Sequence, residues 1–372
     1  MDNGNLYRPR RKTEWRVLLS RDTGHRTYYA FPTLLEAGEE ALICVKTGEK
    51  HWGDGHASLS VARIDTAGQT LKDVRTVFEK DGFTPQQGEI VRMPNGDVCI
   101  YIDMQQSGSN RRTGMWELRS FDGGYSFPVQ KRVGIIDGIE YGYPLSMTEK
   151  NGRVYMLVMA FDNLAGERFR EVHVISSADS GESWRFEANL RGVIGVPFNE
   201  SCILPCGEGF LIMTRGERDR RGETDAEAEF DSAQCLAVTD EHFHLLRMRD
   251  LRHETDFFSL TGRPRLYRMN GEICLFTRQH HRAADGRRMM TMDLFRIDPA
   301  TLEVLARVRL DEPRFYGQDG HYPTAYTADG KLHAVTYLSC AQDECGEGSM
   351  KCDLVQLSFD LNEIFSFGGE VR

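Results

Sequence analysis

The stretch Phe198–Arg215, FNESCILPCGEGFLIMTR, sets an acidic residue before an apolar run, a turn with Gly207, a second apolar run and an arginine. Two apolar runs of strand length around a glycine turn read as a β-hairpin with Glu200 at its mouth. Five further segments share the plan: AFPTLLEAGEEALICV, GEIVRMPNGDVCIYI, YPLSMTEKNGRVYMLVM, RPRLYRMNGEICLFTR and HYPTAYTADGKLHAVTY. The turn glycines Gly38, Gly96, Gly152, Gly207, Gly271 and Gly330 stand 58, 56, 55, 64 and 59 residues apart. A recurrence of that length matches a four-stranded propeller blade with long loops. The spacing therefore predicts an all-β chain: a six-bladed β-propeller with four antiparallel strands per blade, filling residues 1–372 as a single domain. A strand within TEWRVLLS, residues 13–20, is expected to complete the last blade and protect its edge.

A second landmark follows the hairpins. SFDGGYSF (120–127) and SADSGESW (177–184) both read Ser-x-Asp-x-Gly-x-Ser-aromatic, and they resemble the Asp box of bacterial-neuraminidase (BNR) repeats. Looser versions carry Asp65, Asp240, Asp298 and Asp360. The aspartates Asp65, Asp122, Asp179, Asp240, Asp298 and Asp360 are 57, 57, 61, 58 and 62 residues apart, in phase with the hairpins. An Asp carboxylate can accept N–H bonds within such a turn, glycine supplies positive φ, and the aromatic packs between sheets. The box is thus a structural device.

Composition narrows the function classes. Apolar residues make up 40% and charged residues 27% of the chain, ordinary for a globular protein. The formal net charge of -10 argues against nucleic-acid or anionic-membrane partners while leaving room for a local arginine cluster. The N-terminus, MDNGNLYRPRRKTEW, lacks the apolar core of a signal peptide, so the expected compartment is the cytoplasm. Nine cysteines scattered through runs such as ALICV and EICLF read as reduced core residues. No cofactor or metal is expected. The pair His280–His281 in QHHR points to opposite sides of a strand, and Cys340, Cys345 and Cys352 lack ligand spacing. The charged segment 215–233 reads beyond Arg215 as a solvated loop, with a lid as the alternative.

In a propeller the innermost strands start near the axis, so equivalent positions converge. The ring containing Glu200 has Phe31, Glu89, Tyr143, Arg263 and Tyr322 as its other members. Acidic, basic and phenolic groups at the mouths of apolar strands suit a sugar site; for Glu89, Tyr143 and Arg263 taken singly, plugging the channel is an equal alternative.

At these residues the chain resembles the sialidase (neuraminidase) superfamily, through its repeats over nearly its whole length. DGHASLSVAR (54–63) is similar to the family segment carrying the acid/base aspartate, which implies that role for Asp54. NESC followed by MTR resembles the family's Asn-Glu motif and the arginine closing the next strand, here Glu200 and Arg215. GHYPTAYTADGKLHAVTY resembles the segment of the nucleophile, which implies Tyr322; a further family arginine falls on RRMM, at Arg288 or Arg287. His56 and His321 flank these motifs as candidate substrate contacts. The implied chemistry is internally consistent. A neutral phenol can approach an anomeric carbon that bears a carboxylate, and a glutamate can take its proton. An aspartate can serve the leaving group and then water, and arginine forks can hold the substrate's carboxylate.

Two positions depart from the family pattern. Ala30 in YYAFP stands where the family has its first arginine, and Leu338 in VTYLS stands where a glutamate steadies it. The losses are mutually consistent, since removing one partner alone leaves an unpaired charge. Arg26, Lys46 or Arg263 could fill the gap. The expected activity is a sialidase-like exo-hydrolase acting on a sialic acid or another acidic sugar. The alternatives are a polysaccharide lyase using His56, His321 or Tyr322 as base, and a non-catalytic propeller that binds acidic sugars.

Overall fold

The apolar runs that flank the repeat glycines form strands and close on each other as antiparallel hairpins. The computed structural model describes residues 6–7, 14–22, 27–51, 53–66, 70–161, 171–195, 198–207, 209–216, 234–251, 262–282, 288–314, 320–339 and 351–366. The chain begins with β1 (Leu6–Tyr7) and β2 (Glu14–Leu19). The first meander is β3 (Tyr28–Ala37), β4 (Glu40–Gly48), β5 (Ser58–Asp65) and β6 (Thr70–Phe78). The second is β7 (Phe83–Arg92), β8 (Val98–Gln106), β9 (Arg112–Ser120) and β10 (Val129–Val133). The third is β11 (Tyr141–Lys150), β12 (Arg153–Ala160), β13 (Glu171–Ser177) and β14 (Arg185–Asn189). The fourth is β15 (Phe198–Cys206), β16 (Gly209–Gly216), β17 (Gln234–Thr239) and β18 (Leu245–Asp250). The fifth is β19 (Arg265–Met269), β20 (Glu272–Arg282), β21 (Arg288–Ile297) and β22 (Val304–Arg314). The chain's last strands are β23 (Thr324–Ala328), β24 (Lys331–Ser339) and β25 (Cys352–Asp360).

The second, third and fourth meanders are separate four-stranded sheets, while β1 adds to the fifth as a parallel partner of β22. β2 pairs antiparallel with β25 and supplies the fourth strand beside β23, β24 and β25. That set meets the first meander through the single parallel pair Cys352–Tyr28, which makes an eight-stranded sheet.

Burial falls along the first and fourth meanders, from an almost fully buried second strand such as β4 to the largely exposed final strands β6 and β18, whereas β22, covered by β1, stays mostly buried. The first strands lie side by side, β3 on β7, β7 on β11, β11 on β15, β15 on β19 and β23 on β3. Tyr267 of β19 bridges to β23, its hydroxyl 3.1 Å from Thr324 Oγ1 and accepting the Ala325 N–H at 3.0 Å. Apolar side chains fill the spaces between facing sheets, for example Leu42, Cys44 and Leu59 against Ile100, Ile102 and Leu118. These all-β, four-stranded antiparallel meanders form a β-propeller.

The turns at 120–127 and 177–184 share one hydrogen-bond scheme. Asp122 accepts from Ser126 N at 2.8 Å and Ser126 Oγ at 2.6 Å, and Asp179 accepts from Ser183 N at 2.9 Å and Ser183 Oγ at 2.5 Å. In each, the first serine hydroxyl takes the glycine N–H at 2.7 Å. Trp184 meets Tyr101 of the neighbouring sheet edge-on at 5.4 Å, and Phe127 is buried with Leu42 and Ile100. The carboxylate therefore organises the turn while the aromatic joins two sheets.

Candidate active site

The six equivalent positions come together, four on first strands and Arg263 and Tyr322 two residues before β19 and β23. The Phe31 ring lies 5.6 Å from the Tyr322 ring, and Tyr322 Oη donates to Glu200 Oε2 at 3.2 Å. Tyr143 Oη donates to Glu200 Oε1 at 2.7 Å, and the Arg263 backbone N–H to Oε2 at 3.1 Å. The Arg263 side chain completes the chain of contacts by reaching Glu89. The apolar stretches that follow anchor each strand between sheets, so these mouths are held by the core behind them.

Glu200 is the hub. The Arg215 guanidinium pairs with Oε2, so the carboxylate holds two phenols, one guanidinium and one backbone N–H. Burial alone pushes the Glu200 carboxyl up, but Arg215, the Tyr143 hydroxyl, Arg278 and the Arg263 N–H outweigh it and hold the group below the ordinary glutamate value. Burial and the charge of Glu200 raise Tyr143 well above the usual tyrosine value, so Tyr143 stays a neutral donor. Both phenol rings carry a cation, the Arg278 guanidinium 4.8 Å from the Tyr322 centroid and the Arg112 guanidinium 4.9 Å from the Tyr143 centroid. Arg278 is fixed by its bond to Gly320 O at 3.1 Å, and the close approach depends on Gly262. A Cβ there would come within 2.5 Å of Arg278 Nε and 2.7 Å of Tyr322 Cε1.

Arg278 is absent from the site inferred by resemblance, yet the repeat carries a signal for it. It ends LFTR in β20 as Arg215 ends IMTR in β16, seven and eight residues after the glycines Gly271 and Gly207. The resemblance points instead to RRMM for the family arginine; Arg287 and the Arg288 side chain lie outside the described residues.

Glu89 and Arg263 are engaged with each other. Arg263 donates to Glu89 Oε2 at 2.5 Å, to Gln87 Oε1 at 2.7 Å and to Leu145 O at 3.3 Å. Arg265 grips the same carboxylate in bidentate fashion at 2.6 and 2.8 Å. This buried cluster braces the axis below Glu200. His321 is fully buried beside Tyr322, with Nε2 3.3 Å from Asp311 Oδ2, whereas the His56 side chain is exposed.

Asp54 is fully buried in the loop that follows β4. Its Oδ2 accepts from Glu49 N at 2.9 Å and Lys50 N at 3.1 Å, its Oδ1 accepts from His56 N at 3.1 Å, and Lys46 Nζ stands 3.7 Å from Oδ2. None of these contacts reaches Glu200 or Tyr322. The main-chain donors of a tight loop have turned the carboxylate inward, and Gly48 leaves the room it occupies. Lys46 also donates to Lys50 O at 2.8 Å, His51 O at 3.1 Å and Gln86 Oε1 at 2.9 Å. Burial brings its ammonium down to about 8 against the pull of Asp54.

Where the family pattern has its first arginine, the chain builds an aromatic wall. Ala30, Phe31, Tyr28, Tyr322, Tyr337 and Cys352 form one buried cluster, and Leu338 lies buried nearby. Phe31 sits at a bulge in β3 with φ 55, and His321 next to Tyr322 has φ 56. Left-handed backbone at bulky residues is costly and concentrates at functional sites. Here it aims Phe31 at Tyr322.

No protein-family model and no curated protein matches the chain. Among solved structures, a protein of unknown function from Dyadobacter fermentans is similar with a TM-score of 0.71 at 15% identity, over 94% of this chain and 98% of that one. The NanB sialidase from Streptococcus pneumoniae, solved as a mutant, gives 0.64 at 10% identity, over 94% of this chain and 70% of that one. The Trypanosoma rangeli sialidase in complex with sialic acid gives 0.60 at 11% identity, over 96% of this chain and 60% of that one. At such identities the likeness concerns the fold: the chain is a sialidase-like β-propeller.

Proposed function

We propose that this protein is a sialidase-like exo-glycoside hydrolase that acts on a sialic acid or a related acidic sugar with retention of configuration, on a six-bladed propeller. The contacts that carry β3, β7, β11, β15, β19 and β23 round the axis support the count of six, and the shared turn scheme at Asp122 and Asp179 supports reading those turns as Asp boxes.

The observation that carries the reaction is the hydrogen bond from Tyr322 Oη to Glu200 Oε2, flanked by Arg278 and Arg215. Glu200 is ionised at neutral pH and lies within reach of the phenolic proton, so it can take that proton as Tyr322 attacks. Tyr143, kept neutral, orients the carboxylate. Arg278 stabilises charge on the attacking oxygen. Among the described residues, Arg215 and Arg278 stand beside Glu200 and Tyr322 and can hold an anionic group of the substrate. With Ala30 and the aromatic wall where the resemblance has its first arginine, an acidic sugar with one apolar flank suits the site.

Fluorogenic sialosides, deaminated sialosides and uronides, assayed with wild type and Tyr322→Phe, test the proposal. Turnover by wild type that disappears with the phenol supports it. Turnover that survives Tyr322→Phe overturns the tyrosine mechanism.

A further inference from the structure

A regular ladder between β8 and β9 would set Thr113 opposite Gln105 and turn Arg112 to the other face of the sheet. The register slips by one residue instead: Met104 faces Gly114, and Gln105 faces Arg112. Gly114, with φ 107, carries the bulge, and Thr113 Oγ1 closes it by donating to Met104 O at 3.2 Å. The extra residue brings Arg112 onto the face that bears Asp103, against the third meander.

There the Arg112 Nε donates to both Asp103 oxygens, at 3.1 and 3.2 Å. Asp103 has no exposed surface and also takes the Gln105 amide at 3.3 Å. The guanidinium carbon lies 4.9 Å from the Tyr143 centroid and 4.8 Å from that of Phe161. Gly142 makes this approach possible, since a Cβ there would stand 2.8 Å from the Phe161 ring and 3.3 Å from Arg112 Cδ. Tyr143 then donates to Glu200 Oε1 at 2.7 Å, while Oε2 accepts from Tyr322, Arg215 and the Arg263 N–H. Two phenols thus divide the carboxylate, and the ring of one is packed against a guanidinium from the second meander.

We propose that Arg112 is a positioning residue of this site: anchored on Asp103 and packed over Tyr143 and Phe161, it fixes the Tyr143 ring so that its hydroxyl holds Glu200 Oε1 and turns Oε2 to Tyr322. Its effect on turnover rests on the hydrolase proposed for this site; its effect on Glu200 does not. Attraction between a cation and a ring acts over the ring face, and the Asp103 bond removes the freedom of the long side chain, so the ring is held in rotation as well as in place. Glu200 faces Arg215, Arg278, Tyr143, Tyr322 and the Arg263 N–H. Burial works to raise its carboxyl, and Arg215, the Tyr143 hydroxyl, Arg278 and the Arg263 N–H lower it by more. A displaced Tyr143 therefore leaves Glu200 binding its proton at higher pH. On the Arg112 side, burial raises the Asp103 carboxyl against the pull of Arg112, and Arg132 and Glu140 lie at the bulge.

The test uses the full chain with Arg112→Met, Tyr143→Phe, their double variant and Arg112→Lys. On an acidic-sugar glycoside turned over by wild type, Arg112→Met is expected to lower kcat about tenfold, with KM within about twofold and the acid limb of the kcat/KM profile at higher pH. Arg112→Lys, which keeps a cation for Asp103 and the rings, should recover part of the loss. The double variant should lose no more than Tyr143→Phe alone, because both changes act through one hydroxyl. Should Arg112→Met fold poorly beside the buried Asp103, Arg112→Met with Asp103→Asn gives the same readouts without an unpaired carboxylate. Glu200 is also titrated without turnover, by carboxyl carbon-13 NMR of glutamate-labelled protein, with Glu200→Gln identifying its resonance and the label excluding Asp103. Arg112→Met and Tyr143→Phe should both raise its midpoint. Losses that multiply in the double variant, a rise in KM alone, or a Glu200 midpoint moved by Tyr143→Phe but not by Arg112→Met overturn the assignment. A wild type inert on every acidic-sugar glycoside overturns the hydrolase reading, and the Glu200 midpoints then decide the placing of Tyr143 by themselves.

Discussion

Glu89→Ala is expected to destabilise the propeller strongly while leaving substrate affinity little changed. Glu89 accepts Arg263 at 2.5 Å and both ends of Arg265 at 2.6 and 2.8 Å, and all three side chains are buried. Removing one partner of a buried ion pair costs about 3–5 kcal/mol, because the charge left behind has neither water nor a counterion. Arg263 keeps Gln87 and Leu145 O as acceptors, whereas Arg265 loses its bidentate partner. A value near the middle, about 4 kcal/mol, is therefore expected. With an unfolding entropy of about 2.1 cal/mol/K per residue over 372 residues, this lowers the melting temperature by about 5 °C if the chain unfolds as one unit. Urea unfolding with calorimetry measures it, and steady-state kinetics on the same protein supplies KM. The double variant Glu89→Leu with Arg265→Met should recover part of the loss, since an apolar pair of similar volume leaves one fewer charge unpaired. A loss below about 1 kcal/mol together with a tenfold rise in KM would refute the reasoning and make Glu89 a substrate contact.

Tyr322→Phe should lower kcat by about 10³-fold or more, whereas Tyr143→Phe, which removes only a hydrogen bond to Glu200, should cost about tenfold; equal losses in stopped assays would make the two phenols interchangeable. Arg278→Lys keeps the charge but loses the planar fork over Tyr322, and kcat/KM should fall by about 10- to 100-fold, an unchanged value removing Arg278 from the site. Lys46 gives a pH test. Burial lowers it from 10.5 to about 8, so between those values the folded chain binds fewer protons than the unfolded one, and this group makes folding more favourable as pH rises. Wild type should thus gain stability relative to Lys46→Met between pH 7 and pH 9.5 in urea unfolding; parallel curves would contradict that sign. Asp179→Ala should cost about 1 kcal/mol at pH 7, the value for a charged acceptor reduced for its exposure. That contribution should fade as pH falls from 3.8 towards about 2, the lowered value set by the Ser183 hydroxyl and N–H; a loss that persists unchanged at pH 2 would point to the turn's packing instead.

Much of the framework is local and is carried by short-range sequence patterns. A glycine turn between two apolar runs fixes a hairpin through backbone preference and period-two burial, and an Asp between serines fixes a turn through its own N–H and hydroxyl partners. Those signals need no distant residue, which is why hairpin positions, the turns at Asp122 and Asp179 and the ring Phe31, Glu89, Tyr143, Glu200, Arg263 and Tyr322 could be read along the chain. Equivalent positions on repeated strands must converge once the strands share an axis. The sequence could not show what each ring member touches. Glu89 and Arg263 are polar residues at strand mouths like Glu200, and only the approach of Arg265 turns them into a brace. Arg278 carried a readable repeat signal, but its place over Tyr322 depends on Gly262 yielding space across the turn. The loop after β4 was least legible. Asp54 has the surroundings of a reactive carboxylate in sequence, yet whether a carboxylate faces solvent or its own loop is a competition between water and nearby N–H groups. That competition is decided by how the chain folds back on Lys46, Gln86 and Thr84, the last 30 positions from Asp54, so the orientation of Asp54 belongs to the tertiary structure.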